Sequence, residues 1–178
     1  MTGAPAAITL RAVCPADEPF LFELYASARE FEMAQVPWTP AQKQAFLEMQ
    51  FAAQTRSYAA ANPDATHEVI LREGEAAGRL YLARRPDRLH ILDITIAPSL
   101  RNAGIGSAVL QGILEEADRA GKAVSIFVET FNPSMRFFER LRFQPTSIDG
   151  FLVLLERPPA GTAPVKDPGD APGDCAGG

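Results

Sequence analysis

The chain has 178 residues, 47% hydrophobic and 22% charged, the make-up of an ordinary globular domain large enough to bury a core without crosslinks. Its 17 basic against 22 acidic side chains leave a formal charge of −5, which argues against a nucleic-acid partner, whose affinity rests largely on phosphate neutralisation, and slightly favours cationic small substrates. No apolar run approaches the roughly 18 residues of a membrane span, the start Met1-Thr2-Gly3-Ala4-Pro5 lacks the regions of a signal peptide, and the two cysteines, Cys14 and Cys175, stand near opposite ends; the expectation is a cytoplasmic protein with no membrane partner and no structural disulfide.

Ile8 to Val13 alternates as a first strand. Asp17 then offers an N-cap, Pro19 fits a first turn, and Phe20, Leu21, Leu24, Tyr25, Ala28 and Phe31 recur at helical spacing, which predicts a helix over residues 17–31. After Pro37-Trp38, the run Thr39-Pro40-Ala41-Gln42 has the capping-box pattern, and a second helix should run to about residue 60. Asn62-Pro63-Asp64 breaks it. Three strands follow, His67 to Arg72, Ala77 to Arg84 and Arg88 to Ala97, with turns at Glu73-Gly74 and Pro86-Asp87.

The segment from Leu89 to Ala120 carries the strongest functional signal. An apolar strand leads into Arg101-Asn102-Ala103-Gly104-Ile105-Gly106 and then into an amphipathic helix whose stripe is Ile105, Val109, Gly112, Ile113, Glu116, Ala117 and Ala120, closed by Gly121. Two glycines at a helix start let backbone N–H groups approach a ligand, the helix dipole favours an anion there, and Arg101 adds charged donors. The segment therefore reads as a diphosphate cradle, although a tight strand-to-helix turn needs glycine even without a ligand. Ala123 to Glu129 is strand-like, a short helix with aromatics on one side begins at Asn132, and Phe143 to Thr146 and Phe151 to Leu155 read as terminal strands. From Pro158 to Gly178 ten of 21 residues are proline or glycine, so residues 1–157 are read as one domain and 158–178 as a disordered tail. The order of elements gives an α/β (α+β) domain with a mixed sheet.

Together, the glycine loop and the later helix resemble the GNAT superfamily of acyl-CoA-dependent N-acyltransferases. The loop is similar to its Arg/Gln-x-x-Gly-x-Gly/Ala pyrophosphate motif, preceded here by Ile94-Thr95-Ile96-Ala97-Pro98, and Asn132 to Phe143 is similar to its Asn-containing "Glu-Arg-Leu-Gly-Phe" helix. The resemblance spans roughly residues 67 to 156, with the earlier part matching in outline. It implies the GNAT fold, a mostly antiparallel twisted sheet flanked by about four helices. It also implies acetyl-CoA as co-substrate and transfer of an acetyl group to an amine. Two residues depart from the pattern: Phe138 stands where many relatives carry the tyrosine that protonates the leaving thiolate, and Arg142 stands where they carry glycine.

The resemblance implies that Arg101, Asn102, Ala103, Gly104, Ile105, Gly106 and Ser107 wrap the pyrophosphate, with Asn102 and Ala103 contributing only backbone. It implies that Ile94 and Ile96 bind the pantetheine arm at a splayed strand end and that Asn132 binds it from the other side; Asn132 also reads as a simple helix-capping residue. Phe138 should form an apolar wall beside the thioester. For amine activation the candidates are His90, Asp93, Glu68 and Glu129. His90 falls where some relatives place a strand glutamate, and its imidazole could accept a proton near neutral pH. Strand alternation puts Asp93 on the opposite face from His90. Ser134 and Tyr25 are possible substitutes for the missing acid. The acceptor site would lie among Tyr25, Glu30, Glu32 and Trp38, and these residues read equally as core and solvated face. The chain has too few histidines and cysteines for metal-ligand spacing, and no metal is expected. A non-catalytic acyl-CoA-binding sensor is the alternative function, motivated by Phe138. The amine acceptor is not named by the sequence, and either a monomer or a homodimer is compatible with it.

Overall fold

A computed structural model describes residues 7–161; most of the predicted tail, 162–178, lies outside the described residues. Seven strands form one sheet in the order β1-β2-β3-β4-β5-β7-β6: β1 (Ile8–Ala12), β2 (Ala65–Arg72), β3 (Glu75–Arg84), β4 (Arg88–Ile96), β5 (Ala123–Glu129), β6 (Gln144–Asp149) and β7 (Leu152–Arg157). All neighbours are antiparallel except β4 and β5, which are joined by a helical crossover and run parallel. Five helices flank the sheet: α1 (Glu18–Ala28), α2 (Glu30–Ala34), α3 (Pro40–Ala61), α4 (Ile105–Ala120) and α5 (Met135–Arg140).

Local chemistry accounts for most element boundaries. Thr39 Oγ1 accepts from Gln42 N at 3.3 Å while Gln42 Oε1 accepts from Thr39 N at 2.9 Å, so the predicted capping box starts α3. Glu73 and Gly74 both take positive φ, 54° and 89°, as a two-residue hairpin with right-handed strand twist requires. Asp17 stands at the N-cap of the first helix as predicted, but its side chain makes no cap bond to that helix. Its carboxylate accepts two bonds from Arg11 and one from Cys14 N, holding a 3-10 turn at Pro15–Asp17 before α1 begins. Together these bonds hold Asp17 well below the usual carboxylate range. The single predicted helix over 17–31 is broken after Ala28, and α2 starts at Glu30.

The sheet has two faces of different character. On one, α4 and α5 cover the main core, with Leu80, Leu82, Leu89, Ile91, Val124 and Ile126 opposing Ile105, Val109, Leu110, Ile113 and Phe138. The buried stripe of α4 runs through Leu110 and Leu114 and leaves out Gly112 and Glu116; Glu116 instead pairs with Arg84 at 2.7 Å. On the other face, α1 and α3 pack on each other through Leu21, Tyr25, Leu47 and Phe51 and lie against β3, where Tyr58 stacks on Tyr81 with ring centroids 5.4 Å apart. Arg157, the last residue of β7, and Ala160 N both bond to Asp118, so the chain still follows α4 for a few residues past position 157.

The pairing of β3 with the end of β4 depends on Gly78. A Cβ there would stand 2.3 Å from the carbonyl oxygen of Thr95, a backbone atom that cannot rotate away. Gly78→Ala should therefore cost about 1–3 kcal/mol, lowering the thermal midpoint by about 2–4 °C per kcal/mol for a domain of this size. Thermal unfolding followed by circular dichroism measures this, and an unchanged midpoint would show that the strands part without cost.

Candidate active site

Strand β4 departs from simple alternation at one residue. Its register with β3 pairs Tyr81 with Asp93 but Leu82 with Ile91, so Leu92 is an extra, bulged residue. Cross-strand partners share a face. His90 therefore lies beside Ala83, and Asp93 beside Tyr81, all on the face covered by α1 and α3. The expected opposition of His90 and Asp93 is thus corrected: the bulge resets the side-chain parity between them.

The bulge has a second consequence. The parallel pairing of β4 with β5 runs from Arg88↔Ala123 to Ile91↔Ile126 and stops there, while β4 continues to Ile96 and β5 to Glu129. The two strands part, and a cavity of about 280 Å³ opens between them, lined by Asp93, Ile94, Ile96, Phe127, Asn132 and Phe138 among others. Ile94 and Ile96 face the α4 side and join the core. Phe138 is 4% exposed and stacked edge-on against Phe143 with centroids 5.4 Å apart, so it serves as core while lining the cavity.

Next to this cavity, and sharing Ile96, Gly106, Asn132, Ser134 and Phe137 with it, lies a larger cleft of about 1340 Å³. Its floor is the start of α4. Gly104 takes φ 79° and Asn102 φ 62°, and the first helical bond runs from Ala108 N to Gly104 O at 3.0 Å. The N–H groups of Ile105, Gly106 and Ser107 precede that bond and have no acceptor within the helix. No atom lies within 4 Å of where a Cβ on Gly104 would be, and only an Ile96 side-chain atom, at 3.9 Å, is near that position on Gly106. The cradle is therefore open to an incoming ligand. Arg101 Nε donates to Ile96 O at 3.3 Å, tying the loop to the end of β4. Arg136 and Arg140 of α5 line the same cleft, which the sequence reading missed; three arginines against the single carboxylate of Glu30 make it positive in a chain of net charge −5. Only their i, i+4 spacing on a short helix could have signalled it.

The polar candidates divide by their partners. His90 is 6% exposed, its Nδ1 lies 2.8 Å from Ser125 Oγ, and Phe127 meets it edge-on with centroids 5.7 Å apart. Burial, reinforced by Arg85 and Arg88, holds its pKa below the usual histidine value, so the ring is neutral at pH 7. Asp93 is bound on both oxygens: Arg79, itself 7% exposed, donates through Nε at 2.5 Å to Oδ2, and Thr95 donates to Oδ1 at 3.0 Å. Arg79 also reaches Gln54 of α3 at 3.3 Å. Ser134 Oγ donates to Asn132 Oδ1, which also accepts Ser134 N at 2.9 Å, so Asn132 secures the turn into α5 while bordering both cavities. Glu68 pairs with Leu80 and faces the α4 side, away from His90, whereas Glu129 is exposed on the His90 side beyond Phe127.

The expected acceptor group does not come together. Tyr25 is buried against Phe51 with Arg29 Cζ 3.7 Å over its ring, Trp38 packs on Phe46, Glu32 is exposed, and Glu30 borders the arginine-lined cleft. Among the described residues, no group of three or more His, Cys, Asp or Glu side chains could hold a metal ion, and no helix is long and apolar enough to cross a membrane.

A sheet split between two parallel strands, with a glycine loop and open helix start at its mouth, is the fold of acetyltransferases that work with a CoA thioester. The chain belongs to the Acetyltransferase (GNAT) family, whose profile matches residues 21–143. Solved structures agree at the level of the fold. PaiA N-acetyltransferase from Thermoplasma acidophilum, determined in complex with coenzyme A, superposes with a TM-score of 0.64 at 14% identity, covering 85% of this chain and 99% of that one. A ribosomal-protein alanine N-acetyltransferase from Escherichia coli gives 0.60 at 16% identity, covering 90% and 99%. An acetyltransferase from Thermus thermophilus gives 0.61 at 18%, covering 86% and 98%. No curated protein sequence matches the chain significantly.

The buried histidines make stability depend on pH. His67, half-buried edge-on to Tyr81, is also lowered, chiefly by burial. A histidine whose folded pKa is depressed leaves the unfolded chain binding more protons, so stability is full above the unfolded value of about 6.5 and is lost as pH falls through the folded one. The thermal midpoint should therefore drop between pH 7 and 5, and His90→Gln should flatten part of that slope; an unchanged slope would show that His90 does not titrate on unfolding.

Proposed function

We propose that the protein is an acetyl-CoA-dependent N-acetyltransferase acting on a primary amine. The observation that supports this most is the continuity of the positive, glycine-floored cleft with the cavity at the parted strands, which suits a ligand with phosphates at one end and a reactive thioester at the other. In this reading the backbone from Asn102 to Ser107 takes the diphosphate, with Arg101 at its rim, and Arg136 and Arg140 meet the remaining phosphate. The free edge of β4 at Ile94 and Ile96 and the amide of Asn132 border the pantetheine arm. Bound acetyl-CoA supplies an acyl group on a thiol leaving group.

The chain's own residues then position the amine and move its proton. His90, neutral and fixed by Ser125, takes the proton directly or through one water as nitrogen bonds to the thioester carbon and the carbon–sulfur bond breaks. Asp93, with both oxygens engaged, orients the amine and does not accept its proton. The thiolate takes a proton from solvent, because Phe138 offers none and the Ser134 hydroxyl proton is directed at Asn132. A thiol of pKa about 8.5 is a fair leaving group, so the missing acid costs near the low end of the usual 10²–10⁴-fold range, roughly.

A second reading, a non-catalytic acyl-CoA-binding module, is favoured by Phe138 alone. Incubation with acetyl-CoA and a panel of amines, following free thiol, separates the two: release dependent on amine supports the enzyme, and tight CoA binding without release supports the module. Phe138→Tyr sharpens the test. The enzyme reading expects unchanged CoA affinity and a rate within about tenfold of the natural protein, or about 1.4 kcal/mol of barrier; a rise from no turnover to robust turnover would establish the module.

Cofactor contacts give a separate prediction. Gly104→Val should weaken CoA binding, since a β-branched residue at φ 79° distorts the cradle. Replacing Arg136 and Arg140 together by alanine should weaken CoA more than dephospho-CoA. Isothermal titration of both ligands checks this, and equal losses for the two would remove the arginines from the third phosphate.

A further inference from the structure

Large exposed apolar side chains are not spread evenly over this protein. Nine occur among the described residues, and four of them, Phe127, Phe131, Phe151 and Leu152, fall where β5 ends and β7 begins, while Ile148, paired with Val153, faces the α4 side. Such a concentration on one end marks a recognition surface more often than chance exposure.

The strand register orders this surface. On the His90 face, successive cross-strand rows read His90–Ser125–Glu156, then Phe127–Leu154–Ser147, then Glu129–Leu152–Asp149. Rows are about 7 Å apart, two residues along a strand. The first row is buried at His90 and Ser125, while in the next two Phe127 and Leu152 remain 47% and 43% exposed. Phe127 also lines the cavity at the parted strands and touches His90, so the apolar row begins where the amine would react. Thr130 N donates to Phe151 O at 2.8 Å, which fastens the β6–β7 turn, with Phe151 74% exposed, beside the end of β5. Two carboxylates, Glu129 and Asp149, stand at the far row.

Resting on the acetyltransferase reading, we infer that the acceptor is a small primary amine carrying an apolar, ring-sized body, which lies across Phe127, Leu154 and Leu152 while its amine meets His90 and Asp93. The apolar row accounts for the body, and it is continuous with the cavity through Phe127. The acidic row gives a net attraction for a cationic substrate without being needed for the body. Phe127 and Leu152 are specificity-determining residues in this arrangement.

Binding to the full chain saturated with CoA tests this without requiring turnover. The probes are 2-phenylethylamine, ethanolamine and spermidine, titrated calorimetrically. The expected result is that 2-phenylethylamine binds about tenfold or more tightly than ethanolamine, as burial of one ring allows. Leu152→Ser, away from the cavity, should reduce that preference while leaving CoA affinity unchanged, and Phe127→Ser should reduce it too. Phe151→Ser, at an exposed turn where folding is not at risk, should reduce it as well. Equal binding of the three amines overturns the inference, as does a preference for spermidine. So does sedimentation showing that Leu152→Ser turns a dimer into a monomer, since the surface would then be covered by a second copy. Apolar preference without acetyl transfer would overturn the enzyme reading and leave this surface assigned; acetyl transfer without the preference would overturn this inference alone.

Discussion

The single bulged residue Leu92 is the constraint on which the site depends. It allows β4 to stay paired with β3 along its length while turning away from β5 after Ile91. A regular β4 would continue hydrogen-bonding β5 and leave no cavity between them. It would also place Asp93 on the α4 face, in a core where its charge would have no partner. With the bulge, Asp93 meets Arg79, and the guanidinium in turn reaches Gln54 of α3. Helix, ion pair and strand opening thus form one connected unit. Removing one member of such a buried pair costs far more than exchanging the pair for apolar residues, because it leaves a charge without its counterpart.

The two faces of the sheet divide the work. The α4 face is almost wholly apolar and supplies the stability against which the glycine loop is held rigid. The opposite face is polar near its centre, with His67, Arg79, Tyr81, Asp93 and His90 collected under α1 and α3. An apolar core on one side lets the other carry groups that would otherwise be costly to bury. His90 shows the balance: burial makes it neutral, and Ser125 satisfies one ring nitrogen so that the neutral form is also oriented.

Electrostatics reinforce this division at a larger scale. The chain is acidic as a whole, yet its cleft presents Arg101, Arg136 and Arg140 around an open helix start. A local positive field within a negative molecule focuses a polyanion on the cleft.

What the sequence determined by itself was local and periodic. The capping box at Thr39, the hairpin at Glu73-Gly74, the left-handed cap at Gly121 and the glycine loop before α4 are each written within a few adjacent residues, and the structure forms each of them. The paired motifs around Gly104 and Asn132 identified the family for the same reason. Three features needed the folded chain. Asp17 kept its expected N-cap position but not a cap bond, because Arg11, six residues away, engaged its carboxylate from a strand. His90 and Asp93 came to share a face because a bulge, which has no signature in residue alternation, shifted the register by one. Ser125, Arg79 and the arginines of α5 joined the site through contacts between strands and helices far apart in sequence. Short-range hydrogen bonding and hydrophobic period are properties of the chain, whereas strand register and the face a side chain takes are decided only when the strands pair.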